Sequence, residues 1–112
     1  MGFFDFLKAP DFEEGLKRCQ ATPGSVLLDV READEYADGH IFGSVNMPLS
    51  TLDGVEITIP DRDTPVFIYC LSGARSAQAV SRLRKMGYRQ VVNIGGIRGY
   101  KGDKEELEEQ IR

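Results

Sequence analysis

The chain has few of the residues that bind metals or form disulfide frameworks. Its 112 residues include two cysteines and one histidine. Cys19, His40 and Cys70 lie far apart in sequence, so they form no plausible set of metal ligands and no metal site is expected. Two cysteines without a secretion signal are typical of free thiols in a reducing compartment. We therefore expect a cytoplasmic protein.

The chain also lacks long hydrophobic runs and an excess of positive charge. Its longest apolar stretches are far shorter than the roughly 20 residues that cross a bilayer, so no membrane span is expected. The first ten residues, MGFFDFLKAP, have no basic start and no small-residue cleavage site, and we do not expect a signal peptide. The net charge of −4 argues against general nucleic-acid binding, which needs a basic face.

The length of the chain predicts a single domain. At 112 residues it is long enough for one hydrophobic core and too short for a second. We expect an apolar N-terminal arm at residues 1–9 and one domain at residues 10–112. The arm is rich in phenylalanine, and we expect it to pack on the domain's own surface. Contact with a partner or a membrane is the alternative.

Four stretches have the apolar spacing or the capping residues of helices. They are residues 10–20, 31–40, 74–87 and 103–112. Asp11 and Asp103 are the expected N-caps of the first and last helices, and Gly39 and Gly87 are expected to end the other two. Cys19 falls on the apolar face of the first helix, which favours a structural thiol over a redox partner.

Short apolar runs between these helices predict strands. They are SVLLDV (25–30), SVNMPL (44–49), PVFIYC (65–70) and QVVNI (90–94), with VEITI (55–59) as a minor edge strand. PVFIYC is the most continuously apolar run, as expected of a central strand that is covered on both faces. The alternation of short strands with helices predicts a layered α/β domain with a mainly parallel sheet.

The segment YCLSGARSAQ (69–78) carries the strongest functional signal. Cys70 ends the central strand, and open α/β sheets bind ligands at the carboxyl ends of their strands. Ser72, Gly73 and Ala74 are small enough for successive backbone N–H groups to converge on one point and bind an anion. Arg75, in the first turn of the following helix, adds a permanent positive charge.

The same surroundings act on the sulfur of Cys70. A free thiol titrates near pH ~8.5, and a helix N-terminus or a nearby cation lowers this to roughly 3.5–7.5, so we expect a thiolate nucleophile. This hypothesis needs main-chain donors that point inward and a Cys70 that solvent can reach. A short, exposed loop predicts such access. A buried cysteine without function at the end of a strand is the alternative.

Three stretches together resemble the single-domain rhodaneses, a family of sulfurtransferases. They are LLDVREADEYADGHIFGSVNMPLS, CLSGARS and GGIRGY, and the resemblance runs from about Ser25 to Tyr100. It implies a rhodanese-like three-layer α/β domain with a mainly parallel central sheet flanked by helices. Phe42 stands where the family usually has proline, and Tyr100 where it often has tryptophan. We expect these departures to alter the edge of the pocket without changing the chemistry.

The resemblance also implies a mechanism that needs no cofactor. Cys70 would attack the outer sulfur of a small donor such as thiosulfate or a persulfide, and hold it as a Cys70 persulfide. A thiophilic acceptor such as cyanide, a thiol or a protein would then take the sulfur. The resemblance implies that Arg75 closes the loop and favours the anion. The residues that it implies for substrate binding are Leu71, Ser72, Gly73, Ala74 and Ser76.

Residues of the first matching stretch receive supporting roles from the resemblance. Asp29 and Arg31 match its DVR element and are taken as a pair that orients the active loop, with a purely structural role as the alternative. His40 matches the GHI element, where we expect a satisfied structural donor rather than an acid or base.

Other functions stay open at this point. One is a binding module that has kept the fold and lost catalysis, although such modules usually lack the cysteine. Another is a cysteine-dependent phosphatase or arsenate reductase, whose loop is one residue longer than the six residues from Cys70 to Arg75. A redox pair of Cys70 with Cys19 has no motif behind it.

Overall fold

The structure is a computed structural model that describes residues 10–100. The apolar arm predicted at residues 1–9 and the helix predicted at residues 103–112 lie outside the described residues. The division of the chain into an arm and a domain therefore stays a prediction.

The described residues form a parallel sheet with helices on both faces. The helices are α1 (Phe12–Ala21), α2 (Ala33–Asp38), α3 (Val55–Thr58) and α4 (Ala74–Lys85). The strands are β1 (Val26–Asp29), β2 (Val45–Asn46), β3 (Val66–Cys70) and β4 (Val91–Gly96), and short 3₁₀ helices lie at Leu49–Gly54 and Ile97–Gly99. In this part of the chain the strand order is β2-β1-β3-β4, and each neighbouring pair is parallel.

The central strand β3 divides the core into two clusters. All five of its residues are buried, as expected for the strand in the middle of the layers. Successive side chains of a strand point to opposite faces. Val66, Ile68 and Cys70 therefore pack with α4 and α3, while Phe67 and Tyr69 pack with α1. The predicted three-layer α/β architecture is confirmed.

The helix boundaries follow the predicted capping residues closely. The Asp11 carboxylate accepts a hydrogen bond from the Glu14 N–H at 3.2 Å, so α1 begins where its cap was predicted. The C-cap of α2 is Gly39, as predicted, whereas the C-cap of α4 is Met86, one residue before the predicted Gly87, which has a φ of +99°. A φ of this sign favours glycine, which explains why the helix stops there.

The prediction of an edge strand at residues 55–59 is wrong. This segment is helical, and the Ile59 N–H donates to the Val55 carbonyl at 2.7 Å. Val55 and Ile59 are buried while Ile57, between them, is 89% exposed. Apolar residues four positions apart share a helix face and also fit a two-residue alternation, so the pattern alone did not separate the two structures.

Candidate active site

Cys70 lies at the carboxyl end of β3, where the chain turns through Leu71–Gly73 into α4. Its Sγ receives hydrogen bonds from the Gly73 N–H at 2.9 Å and the Ser76 N–H at 3.4 Å. The Ser76 hydroxyl lies 3.5 Å from the same sulfur. The structure thus brings main-chain donors and one hydroxyl together around the thiol.

These contacts shift the ionisation of Cys70. Burial raises the pKa of the Cys70 thiol, while hydrogen bonds from the Ser76 hydroxyl and from the amides of Ser76, Gly73 and Ser72 lower it. The hydrogen bonds outweigh the burial, and the pKa lies below its ordinary value. The loop therefore stabilises the thiolate, which is the nucleophilic form of cysteine.

The expectation of an accessible thiol is wrong for this conformation of the loop. Cys70 is 0% exposed and belongs to the core cluster on the α4 side of the sheet. Small residues in the sequence indicate a tight turn, but they do not show that the turn closes over its own sulfur. In this structure the Cys70 thiol is therefore closed to solvent.

The GGIRGY segment supports the cysteine loop from the neighbouring strand. A Cβ atom on Gly96 would lie 2.2 Å from the Leu71 carbonyl oxygen, so only glycine permits this approach. The Arg98 N–H then donates to the same oxygen at 3.1 Å. Gly73 has a φ of +99° and packs against Gly95, which lies at the irregular end of the β3–β4 pairing.

Arg75 forms a two-point ion pair with Glu35 of α2. Its Nη1 and Nη2 donate to the Oε1 and Oε2 atoms of Glu35 at 2.6 and 2.9 Å. The hydrogen bond from Arg75 lowers the pKa of Glu35 to about 2, so the carboxylate stays ionised at working pH. The carboxylate also accepts the Glu32 N–H at 3.0 Å, which completes a capping box at the start of α2. The positive charge expected at the loop is thus matched by a negative one.

The sequence reading did not identify Glu35 as a site residue. Its partner lies 40 positions away, and residues 31–40 read only as a short acidic helix that ends at Gly39. The spacing of Glu32 and Glu35 is that of a capping box, which was the only available sign that this carboxylate is held in place.

Asp29 and Arg31 form a buried ion pair at the end of β1. Arg31 Nη2 lies 2.7 Å from the Asp29 Oδ2 atom, and the Arg31 N–H donates to Oδ1 at 2.9 Å. The same Nη2 donates to the Gly39 carbonyl at 2.7 Å, and the guanidinium lies 5.8 Å from the centre of the Tyr69 ring. The pair therefore connects the end of β1 to the end of α2, one strand away from Cys70.

His40 is placed by its neighbour Tyr36. Its ring stacks on the Tyr36 ring at 3.6 Å, and its Nδ1 lies 2.7 Å from the Tyr36 carbonyl, to which it donates. This is the geometry of a satisfied structural donor.

The two departures from the family pattern lie on the surface side of the α1 cluster. Tyr100 packs edge-on against Phe12, with 5.7 Å between the ring centres. Phe42 is 80% exposed and borders a shallow cavity beside Cys19.

Asn93 of β4 is a second site residue that the sequence reading missed. Its Oδ1 accepts hydrogen bonds from the Ser76 hydroxyl at 2.7 Å and the Gly95 N–H at 2.9 Å. Its Nδ2 donates to the Gly73 carbonyl at 3.3 Å. The one available signal was a polar residue inside the apolar run QVVNI, two positions before the first glycine of GGIRGY.

The two cysteines lie on opposite faces of the sheet. Cys19 is buried in the α1 cluster, and burial raises the pKa of its thiol. Both thiols are free. Within residues 10–100 no three His, Cys, Asp or Glu side chains are grouped so that they could hold a metal ion. Among the described helices, none combines the length and apolar character that crossing a membrane requires.

This geometry defines a class of protein, namely an α/β domain with a cysteine loop at the end of its central strand. A family model described as the rhodanese-like domain matches residues 9–103. The chain belongs to the rhodanese-like domain family.

Curated relatives include proteins with named activities. The thiosulfate sulfurtransferase PspE of Escherichia coli is 36% identical over 72 residues, which cover 63% of this chain and 69% of PspE. A sulfurtransferase of Allochromatium vinosum is 39% identical over 88 residues, covering 78% of this chain and 81% of the relative.

Solved structures of sulfurtransferases and rhodaneses are also similar to this chain. The human single-domain sulfurtransferase TSTD1 is 27% identical with a TM-score of 0.69, and the match covers 86% of this chain and all of that one. A structure described as rhodanese with anions from E. coli is 32% identical with a TM-score of 0.65. That match covers 70% of this chain and 94% of the other.

Proposed function

We propose that the chain is a sulfurtransferase that moves sulfane sulfur from a donor such as thiosulfate to a thiophilic acceptor through a persulfide on Cys70. The observation that carries the proposal is the set of donors around one sulfur, formed by the amides of Gly73 and Ser76 and the Ser76 hydroxyl. The names of PspE and of the A. vinosum relative support the same reaction class.

The proposed reaction has two displacements at sulfur. The Cys70 thiolate attacks the outer sulfur of thiosulfate, the new S–S bond forms, and sulfite leaves with the electrons of the broken bond. The outer sulfur of the persulfide then carries the negative charge, bonded to the Sγ atom at which the structure directs the amides of Gly73 and Ser76. We expect amides of this loop to stabilise that charge. An acceptor such as cyanide attacks the outer sulfur, leaves as thiocyanate, and returns Cys70 to its thiolate form.

Access to the covered sulfur is part of this proposal. A cleft of about 380 Å³ runs beside the loop and is bordered by Leu71, Ser72 and Gly96. Within this loop Ser72 is exposed, whereas Leu71 and Gly73 are partly buried. We propose that displacement of residues 71–73 admits the donor from this cleft.

Sulfur uptake tests the proposed function directly. Reduced protein incubated with thiosulfate is expected to gain the mass of one sulfur atom on the peptide that contains Cys70, and cyanide should remove it. The intact mass and the peptide mass are both measured. Turnover of an aryl phosphate without any sulfur uptake would point to a phosphatase instead. Failure of both reactions would leave a binding module.

The ion pair between Arg75 and Glu35 predicts opposite effects of two substitutions on the pKa of Cys70. Arg75→Ala removes a positive charge and leaves the Glu35 carboxylate uncompensated, so the thiol pKa should rise by roughly half a unit or more. Glu35→Gln should lower it, and the double variant should return near the parent. Thiolate absorbance followed against pH gives these values.

The baseline of that titration is the matching Cys70→Ser variant, which subtracts Cys19 and the tyrosines. Activity that depends on the thiolate should shift its rising limb to higher pH in Arg75→Ala, by the same amount as the thiol pKa. An unchanged thiol pKa in Arg75→Ala would show that this pair does not act on the sulfur, and a raised thiol pKa in Glu35→Gln would contradict the proposed electrostatic cause.

A further inference from the structure

The Ser76 hydroxyl has one proton and three acceptors within reach. They are the Asn93 Oδ1 at 2.7 Å, the Gly73 carbonyl at 3.0 Å and the Cys70 Sγ at 3.5 Å. A hydroxyl donates a single hydrogen bond at full strength, although its oxygen can accept others. The three contacts therefore compete for one proton.

The geometry favours Asn93 in this competition. The Gly73 carbonyl already accepts the N–H of Ala77 at 3.1 Å and the Nδ2 of Asn93 at 3.3 Å. The orientation of the Asn93 amide follows from its partners, because the Gly95 N–H requires an oxygen at 2.9 Å. The Oδ1 atom thus faces the hydroxyl over the shortest of the three distances.

We propose that Asn93 is a positioning residue that keeps the Ser76 proton away from Cys70 until the sulfur becomes an anion. With a protonated thiol, the Cys70 S–H donates to the Ser76 oxygen and the Ser76 O–H donates to Asn93. When a base in solution takes the thiol proton, the hydroxyl turns and donates to the sulfur, while Asn93 keeps its bond from Gly95. Asn93 therefore favours the thiol over the thiolate.

Other charges near the thiol do not produce this effect. The guanidinium of Arg75, on the first turn of α4, interacts with Cys70 and is paired with Glu35 of α2. On β1, Asp29 is paired with Arg31. Asn93 carries no charge, so its influence on Cys70 passes through the direction of one hydroxyl.

A double-mutant cycle on Asn93 and Ser76 tests the inference. Asn93→Ala frees the hydroxyl to donate to sulfur and should lower the pKa of the Cys70 thiol by about one unit, the scale of a hydrogen bond to a charged group. In the Ser76→Ala background the same change should have almost no effect. Ser76→Ala alone should raise the thiol pKa. Thiolate absorbance against pH, with the matching Cys70→Ser baselines, measures all four proteins.

A structural role for Asn93 would give a different result. An equal shift of the thiol pKa with and without the Ser76 hydroxyl, or a raised pKa in Asn93→Ala, overturns the inference. If Asn93→Ala does not fold, Asn93→Asp keeps both acceptor contacts and holds the hydroxyl more strongly. The rise in the Cys70 thiol pKa that Asn93→Asp causes should then be larger with Ser76 present than in the Ser76→Ala background. Equal rises would again overturn the inference.

This inference concerns the same sulfur as the proposed function, and its importance for catalysis rests on that function. The titration itself uses no sulfur donor, so the two can fail separately. If the effect of Asn93→Ala on the thiol pKa depends on Ser76 but the protein takes up no sulfur, the inference holds and the proposed function fails. If the protein takes up sulfur but the effect does not depend on Ser76, the proposed function holds and the inference fails.

Discussion

Replacing Cys70 by serine should abolish sulfur transfer from thiosulfate to cyanide. A serine hydroxyl stays protonated at neutral pH, and its oxygen cannot form the S–S bond that carries the transferred atom. Removal of a nucleophile of this kind lowers kcat by a factor on the order of 10⁴ or more, down to the uncatalysed background. The rate of thiocyanate formation measures the loss, and the variant should also gain no sulfur in the mass measurement.

The other cysteine provides a matched control. Cys19 is buried on the α1 face of the sheet, and Cys70 faces α4, so the two thiols belong to separate core clusters. Cys19→Ala should therefore keep the rate of sulfur transfer while losing some stability from the smaller side chain. A substantial rate in Cys70→Ser, or an equal loss in Cys19→Ala, would mean that Cys70 is not the sole sulfur carrier.

Most of the fold was predictable because it follows from local patterns. The run PVFIYC is buried on both faces, and the alternation of strands with capped helices leaves few arrangements other than a parallel layered sheet. The segment around α3 was not predictable in this way. Val55 and Ile59 satisfy the period of a strand and of a helix equally well, and only the packing of the finished core distinguishes the two.

The candidate site was predictable only where it is contiguous in sequence. Cys70, the small residues after it and Arg75 form one short segment, so their convergence could be expected from the turn between strand and helix. Glu35 is 40 positions from Arg75, and Asn93 is 17 positions from Ser76. Contacts over such separations depend on the order of the strands, which the local pattern does not contain.

The burial of Cys70 was missed for a related reason. A loop of small residues reads as open when its sequence is taken alone. Gly96 lets the GGIRGY segment approach the Leu71 carbonyl so closely that no side chain fits between them. The loop is therefore held by a segment whose Gly96 follows Leu71 by 25 positions along the chain, and the opening of that contact becomes part of the proposed reaction.

Asp29→Ala should have the largest effect on stability among the substitutions considered. It leaves Arg31, 5% exposed, as a buried charge without its carboxylate, and it removes the acceptor of the Arg31 N–H as well. Loss of one partner from a buried ion pair lowers the free energy of unfolding by about 3–5 kcal/mol. Urea denaturation followed by circular dichroism measures this change.

An exposed ion pair gives the matched control for that measurement. Asp53 lies 2.8 Å from Arg82, and its side chain is 91% exposed. Asp53→Ala should change the free energy of unfolding by about 1 kcal/mol at most. Adding Arg31→Met to Asp29→Ala should recover part of the loss, because no uncompensated charge then stays buried. Equal losses in Asp29→Ala and Asp53→Ala would contradict this account, since burial is the feature that separates the two pairs.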